Sequence, residues 1–169
     1  MALNSTFQLN IVASLLQSLD LADAQVNANK TYKSALTSGT AAGQADLVFH
    51  DTRTIAPSAN DDLDLAGVLA GLLGGTLTFV RIKGLIVAAA AANTNNVVVG
   101  AAAANQWATL LNATGTVQVR PGAVLAAYVG EADATGYVVT AGTGDILRIA
   151  NGGAGTSVNY DLFVIGASA

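Results

Sequence analysis

The sequence contains no cysteine, which excludes disulfides, thiolate metal sites and cysteine nucleophiles together. Charge is scarce too. Only 11% of residues are Asp, Glu, Lys or Arg, against about 25% in ordinary domains. The seven basic residues are scattered and the formal net charge is -4. A nucleic-acid partner needs clustered Lys and Arg to displace counterions from phosphate, so none is expected. Long apolar runs are missing as well. The most apolar stretch, "GLIVAAAAA" from Gly84 to Ala92, falls far short of the roughly 18–20 residues of a spanning helix, and no membrane partner is expected. The opening "MALNSTFQLNIVASLL" lacks the basic n-region of an export signal, which predicts folding in a cytoplasm. Aromatics stop at 5%, little for sugar-stacking platforms.

What is present is apolar and alternating. Residues of the apolar class make up 52%. With so few charges to clothe the surface, part of it is expected to be buried against other chains. A chain of 169 residues suits one domain and buries about 70% of its unfolded surface. From Thr76 onward, short runs of Val, Ile, Leu, Phe and Tyr recur between Gly, Asn, Thr and Asp: "TLTFVRIKGLIVAA", "NNVVVG", "TVQVRPG", "AVLAAYVG", "GYVVTAG", "GDILRIANG" and "SVNYDLFVIG". Such spacing with turn chemistry between is the pattern of an antiparallel sandwich or barrel. "RPGA" sets Pro121 and Gly122 for a type II turn. Ala88–Ala92 favours helix on propensity, but it continues a β-branched run and is read as strand. "AAAANQWATLLN" is read as a loop or short strand seating Trp107.

The first third is read more loosely. "FQLNIVASLLQSLDL" fits period two through Phe7, Leu9, Ile11, Ala13 and Leu15, and also fits helical spacing; a strand or extended arm is preferred. "ADLVFHDTRTI" reads as a strand and "PSANDDLDL" as a loop. "AGVLAGLLGG" reads as a buried turn or short helical piece. Residues 1–37 are thus expected to be an N-terminal arm or first strands, and residues 38–169 a β-sandwich domain.

The glycine cluster "NGGAGTS" raises the question of a phosphate loop. Such a loop needs a helix after the glycines. Here Val158, Tyr160, Leu162 and Val164 alternate with Asn159, Asp161, Phe163 and Ile165, which is period two. No Lys follows Gly155 to touch a phosphate. Asn-Gly favours a hairpin turn, and that is the expectation. Along the same segment the polar pair Asn159 and Asp161 gives way to Phe163 and Ile165. A strand apolar on both faces has its outer face covered, by the N-terminal region or by a neighbouring subunit.

Chemistry is sparse. His50, the only histidine, has no "GxSxG" nucleophile elbow to serve and reads as part of a polar cluster with Asp51 and Arg53. Asn60, Asp62 and Asp64 have spacing that suits calcium, but the glycine and glutamate of a full loop are missing, so a solvated acidic loop is preferred. Glu131 and Asp133 read as turn acids rather than a glycosidase pair. Arg81 and Lys83 read as one solvated strand face or an ion-pairing face toward a neighbouring chain. Tyr128, Tyr137 and Tyr160 read as core or rim aromatics whose hydroxyls reach water. No catalytic residue, metal or cofactor is expected.

The order "DDLDLAG…TLTFVRIKGLIV…VQVRPG…GTGDILRIANGGAGTSVNYDLFVIG", with "SGTAAGQADLVFHDTRTIA" before it, resembles small virion structural proteins of tailed bacteriophages. The likeness runs from about Ser38 to the end and is closest to capsid decoration, or cement, components. It implies an all-β, jelly-roll-like antiparallel β-sandwich with an N-terminal arm or short extra segment. It further implies a homotrimer bound to the major capsid protein on the virion surface, made in the host cytoplasm, with no enzymatic activity. Phe7, Leu9 and Ile11 in the arm, and Phe163 and Ile165 in the last strand, are the expected interface residues. The alternatives are another virion component (tail, neck or fibre base) and a glycan-binding module.

Overall fold

The computed structural model describes residues 2–67 and 69–169, and among them there is no helix. The strands in chain order are β1 (Ser5–Ser18), β2 (Asp23–Ser38), β3 (Gln44–Ala45), β4 (Leu47–Ile55), β5 (Asn60–Asp64), β6 (Leu69–Ala70) and β7 (Thr76–Leu77). They continue as β8 (Arg81–Ala89), β9 (Val97–Gly100), β10 (Thr116–Val119), β11 (Val124–Tyr128), β12 (Tyr137–Val138), β13 (Ile146–Asn151) and β14 (Val158–Ala167).

Two antiparallel sheets make the body. One has the order β11-β8-β14-β4, with β12 also on β8; the other has the order β10-β9-β13-β5. Period-two alternation sends one set of side chains from each strand inward. Val158, Tyr160, Leu162 and Val164 of β14 meet Val97, Val99, Leu147 and Ile149 of the opposite sheet in a single core. All eight are at most 3% exposed. Two sheets facing across such a layer form a β-sandwich. Trp107 is buried in the irregular segment after β9 and donates its indole N–H to the Val138 carbonyl at 3.0 Å. The Arg120–Ala123 turn closes with a 2.8 Å bond and Gly122 at φ +76, and it carries the chain from one sheet to the other.

Several expectations change. Residues Asn60–Asp64 are not a loop but the edge strand β5, paired to β13 with Leu63 opposite Leu147. Leu63 fills the core at 2% exposure, and the acids are matched by arginines: Arg148 clamps Asp62 through two 2.7 Å bonds, and Arg53 holds Asp61 at 3.0 Å. "NGGAGTS" is not a hairpin turn. It carries the chain across the sandwich, because β13 and β14 belong to different sheets. Asn151 makes that crossing: its side-chain amide donates to the carbonyls of Ala56 and Thr156 at 3.1 and 2.8 Å, and its oxygen accepts Gly153 N–H at 3.1 Å. "AGVLAGLLGG" forms the small β6–β7 hairpin rather than a helical piece (Val68 lies outside the described residues). Leu69 is buried while Leu72 and Leu73 stand exposed.

Arg81 and Lys83 are not a solvated face: both donate to backbone carbonyls, those of Ala134 and Asp133. The β8–β14 register slips between Ile165 and Gly166, which face Gly84 and Ile82. Lys83 is the extra residue of this bulge. Lys83 is fully buried against the segment 129–136, and its ammonium donates to the Asp133 carbonyl at 2.8 Å. Burial pushes its ammonium pKa down, against the pull of Asp133. Nor does the Tyr160 hydroxyl reach water. Tyr160 is 1% exposed and donates to Asp61 Oδ2 at 2.6 Å. Burial first, then the Asp61 carboxylate, raise its pKa.

Candidate interaction surface

Residues 5–38 form a hairpin that leaves the body. β1 and β2 stay in register for fourteen rungs, from Ser5↔Leu36 to Ser18↔Asp23, a ribbon roughly 45 Å long at about 3.4 Å per residue. At the far end the Leu19 N–H donates to the Ala22 carbonyl at 3.1 Å, and Leu21 is fully exposed. From residue 8 to residue 33 every residue is exposed.

The register sorts this ribbon into two unlike faces. One carries Leu9 beside Tyr32, Ile11 beside Lys30, Ala13 beside Ala28 and Leu15 beside Val26. The other carries Gln8 beside Lys33, Asn10 beside Thr31 and Ser14 beside Asn27, with Val12 and Leu16 interrupting it. On the polar face the side chains bond to each other: Thr31 Oγ1 donates to Asn10 at 2.9 Å, and Gln25 to Ser14 and Asn27 at 2.8 and 3.1 Å. The apolar face has nothing over it. Its single charge is Lys30, whose ammonium lies 5.7 Å above the Tyr32 ring. A lone two-stranded hairpin is marginal in water, and an apolar stripe this long marks a contact surface.

The root of the ribbon is fixed by a second, smaller core. Phe7, Leu36 and Ala45 are buried against Ile86, Tyr128 and Ile165 on the outer face of the β8-containing sheet. The Phe7 and Tyr128 rings stack at 5.3 Å. Gly84 lets Phe7 approach, because a Cβ there would stand inside the ring's envelope. The segment 129–136 clamps the same root. Ser34 Oγ donates to the Val129 carbonyl at 2.8 Å, and Ala35 N–H donates to Glu131 Oε1 at 2.9 Å. Arg81 and Lys83 hold the clamp by donating to the carbonyls of Ala134 and Asp133 at 2.7 and 2.8 Å. Asp133 caps its own turn, and the N–H groups of Gly136 and Thr135 hold its carboxyl below the usual carboxylate range. Glu131 and Asp133 are thus bound to backbone amides and do not face one another as a pair.

The five expected interface residues separate. Phe7 and Ile165 meet within the chain, at the root. Leu9, Ile11 and Phe163 stay open to solvent at 52%, 46% and 43%. Phe163 lies just beyond the reach of the root, its ring 5.2 Å from that of His50. Val124, at 61% exposed, continues the patch on β11. Along β14 this outer face carries one carboxylate, Asp161, which accepts from Thr52 Oγ1 at 2.6 Å. Sequence reasoning placed Leu15 in the alternating set without assigning it to the interface, and missed Val26, Lys30 and Tyr32 of the ribbon. Extending the period-two pattern past residue 15, and pairing it with "QVNANKTY", is the signal that would have found them.

Concave chemistry is limited. A cleft of about 400 Å³ beside the β4 and β5 edges is lined by Phe49, His50, Asp51, Arg53 and Asp62. Its charged groups are engaged with each other: Arg53 with Asp51 and Asp61 at 3.0 Å, Arg148 with Asp62 at 2.7 Å. Asp64 accepts the Ala66 N–H at 2.8 Å. Among the described residues no three of His, Asp and Glu cluster as metal ligands. Next to this cleft lies an apolar one of about 440 Å³ under the exposed Leu72 and Leu73. No family model matches the chain, and neither a curated protein nor a solved structure does.

Proposed function

We propose that this protein is a structural, non-enzymatic subunit of a virion, of the capsid-decorating type, that acts as a homotrimer on the outside of an assembled head. The observation that carries the reading is the hairpin of residues 5–38: a ribbon tied firmly at its root, with an uncovered apolar face. Such a ribbon has a purpose when another subunit lies on it. The strand order gives further support. Numbering the eight long body strands 1 to 8 along the chain, one sheet runs 1-8-3-6 and the other 2-7-4-5, which supports the double Greek-key wrapping of a jelly roll as the finer reading of the sandwich. The acids and arginines of the cleft neutralise one another, which favours a scaffold over a general acid–base site.

The mechanism is mass action. A subunit that bridges neighbours in an assembled shell binds that state and not its separated parts. At a free concentration of 100 times Kd this stabilises the shell by about 2.7 kcal/mol per site. Light scattering over a concentration series tests the first step. The expected species has three times the 16.8 kDa chain mass. Removing residues 9–32 and closing the strands with a short turn is expected to leave a folded monomer that no longer binds shells. A wild-type chain that stays monomeric at every concentration and on the shell would overturn the reading.

A further inference from the structure

The apolar face of the hairpin and the bare outer face of the β8-containing sheet belong to the same chain, and neither covers the other beyond the root. We infer that they cover each other between copies: the hairpin of one subunit lies across β14 and β11 of the next. The reading of the protein as a self-associating subunit underlies this inference, which adds the two surfaces and their register.

Three observations commit the occupant to a second copy. The first is charge. The hairpin's apolar face carries a single charged residue, Lys30, among Leu9, Ile11, Leu15 and Tyr32. The sheet face carries a single carboxylate, Asp161, which lies between Thr52 and Ala88 and is followed on that face of β14 by Phe163. Among the described residues Lys30 has no carboxylate within ion-pair distance, and Asp161 has only the hydroxyl of Thr52. One unmatched cation and one unmatched anion form a complementary pair.

The second is continuity. Phe7 shows how this ribbon face meets this sheet face, since it already sits on Gly84, Ile86, Tyr128 and Ile165 of its own chain. Leu9 and Ile11 follow Phe7 on the same face of the ribbon. Phe163 follows Ile165 on the same face of the sheet. The contact between copies extends an apolar layer that the chain has begun.

The third is area. Beyond the buried root, one ribbon face of about 30 by 10 Å offers about 300 Å², short of the roughly 800 Å² per partner of a stable interface. A head-to-tail contact closing into a ring uses both surfaces of every copy, so each copy is held by two such contacts rather than one. An isologous pair of ribbon faces would use one surface only, and would set Lys30 near its own copy.

Charge reversal on the full-length chain tests the pairing. Lys30→Asp and Asp161→Lys are each expected to weaken self-association at least tenfold by light scattering. The double variant K30D/D161K is expected to recover most of it, which misfolding of a single variant could not produce. The absence of cysteine permits a second reading: the double variant I11C/F163C is expected to oxidise into covalent oligomers, while I11C alone is not. Association untouched by both reversals, no recovery in the double variant, or crosslinking by I11C alone would overturn this arrangement while self-association stands. A wild-type chain that never associates would overturn self-association as well.

Discussion

Leu162 and Leu15 both sit on long alternating strands, yet Leu162 is fully buried and Leu15 is 72% exposed. The difference lies in what stands opposite each strand. β14 runs down the middle of one sheet, with β8 and β4 on its flanks and the second sheet across the core. β1 has β2 on one flank and water elsewhere. Alternation brings apolar side chains to one face in both cases; only a second layer turns that face into a core. Burying a leucine is worth about 1.5–3 kcal/mol, so the body has gained this already and the hairpin has not. The charges follow the same division. Arg53 and Arg148 in the body are paired with aspartates, whereas Lys30 on the hairpin rests against an aromatic ring.

The largest effect comes from truncating the two leucines. Leu162→Ala opens a cavity in the core and is expected to cost about 2–5 kcal/mol of unfolding free energy. Leu15→Ala, measured by the same denaturant titration on the dissociated chain, is expected to stay within about 0.5 kcal/mol of wild type. Equal losses would mean that the hairpin is packed within its own chain, and the contrast would fail. A smaller effect is expected at the joint between the two regions. Gly84→Ala places a methyl where the Phe7 ring lies. Overpacking of this kind costs about 1–3 kcal/mol. Displacing Phe7 is expected to relieve it, releasing the hairpin while the sandwich stays folded. Amide hydrogen exchange reads this directly: protection should fall over residues 5–9 and 34–38 and persist in β13 and β14. Unchanged protection at the root would show that Phe7 does not hold the hairpin.

The body was the legible part of the sequence. Runs such as "GDILRIANG" and the first half of "SVNYDLFVIG" alternate because a sandwich strand has one wet face and one dry face. What escaped reading depends on partners distant in the chain. β5 looked like a loop because its three aspartates are unfavourable in a strand, until Arg53 and Arg148 arrive from β4 and β13. Lys83 looked exposed because the segment 129–136 that covers it lies far along the chain. The "NGGAGTS" crossing looked like a hairpin because local turn chemistry does not say which sheet receives the next strand. At the candidate surface, Leu9, Ile11 and Phe163 were legible as apolar positions. That Phe7 and Ile165 join each other, rather than a neighbour, depends on Gly84 lying beneath them.

The smallest effect separates a paired charge from an unpaired one. Asp62 accepts two bonds from Arg148 at 2.7 Å. These bonds hold its carboxyl below the usual value of 3.8, against the opposing push of burial. A carboxylate with a depressed folded-state pKa binds fewer protons folded than unfolded in that range. Its contribution is therefore complete above the unfolded value and is lost as pH falls through the folded one. The Asp62 side chain is 41% exposed, so solvent screening keeps the pair at about 0.2–1 kcal/mol. Asp62→Asn is expected to lose this amount at pH 7 and to match wild type once pH has fallen through the folded-state value and the acid is protonated. Lys30→Met on the hairpin is expected to show no such pH-dependent difference in the dissociated chain, having no carboxylate to lose. A deficit in Asp62→Asn that persists unchanged in acid would assign the β5–β13 contact to shape rather than charge. The two regions would then differ in packing alone.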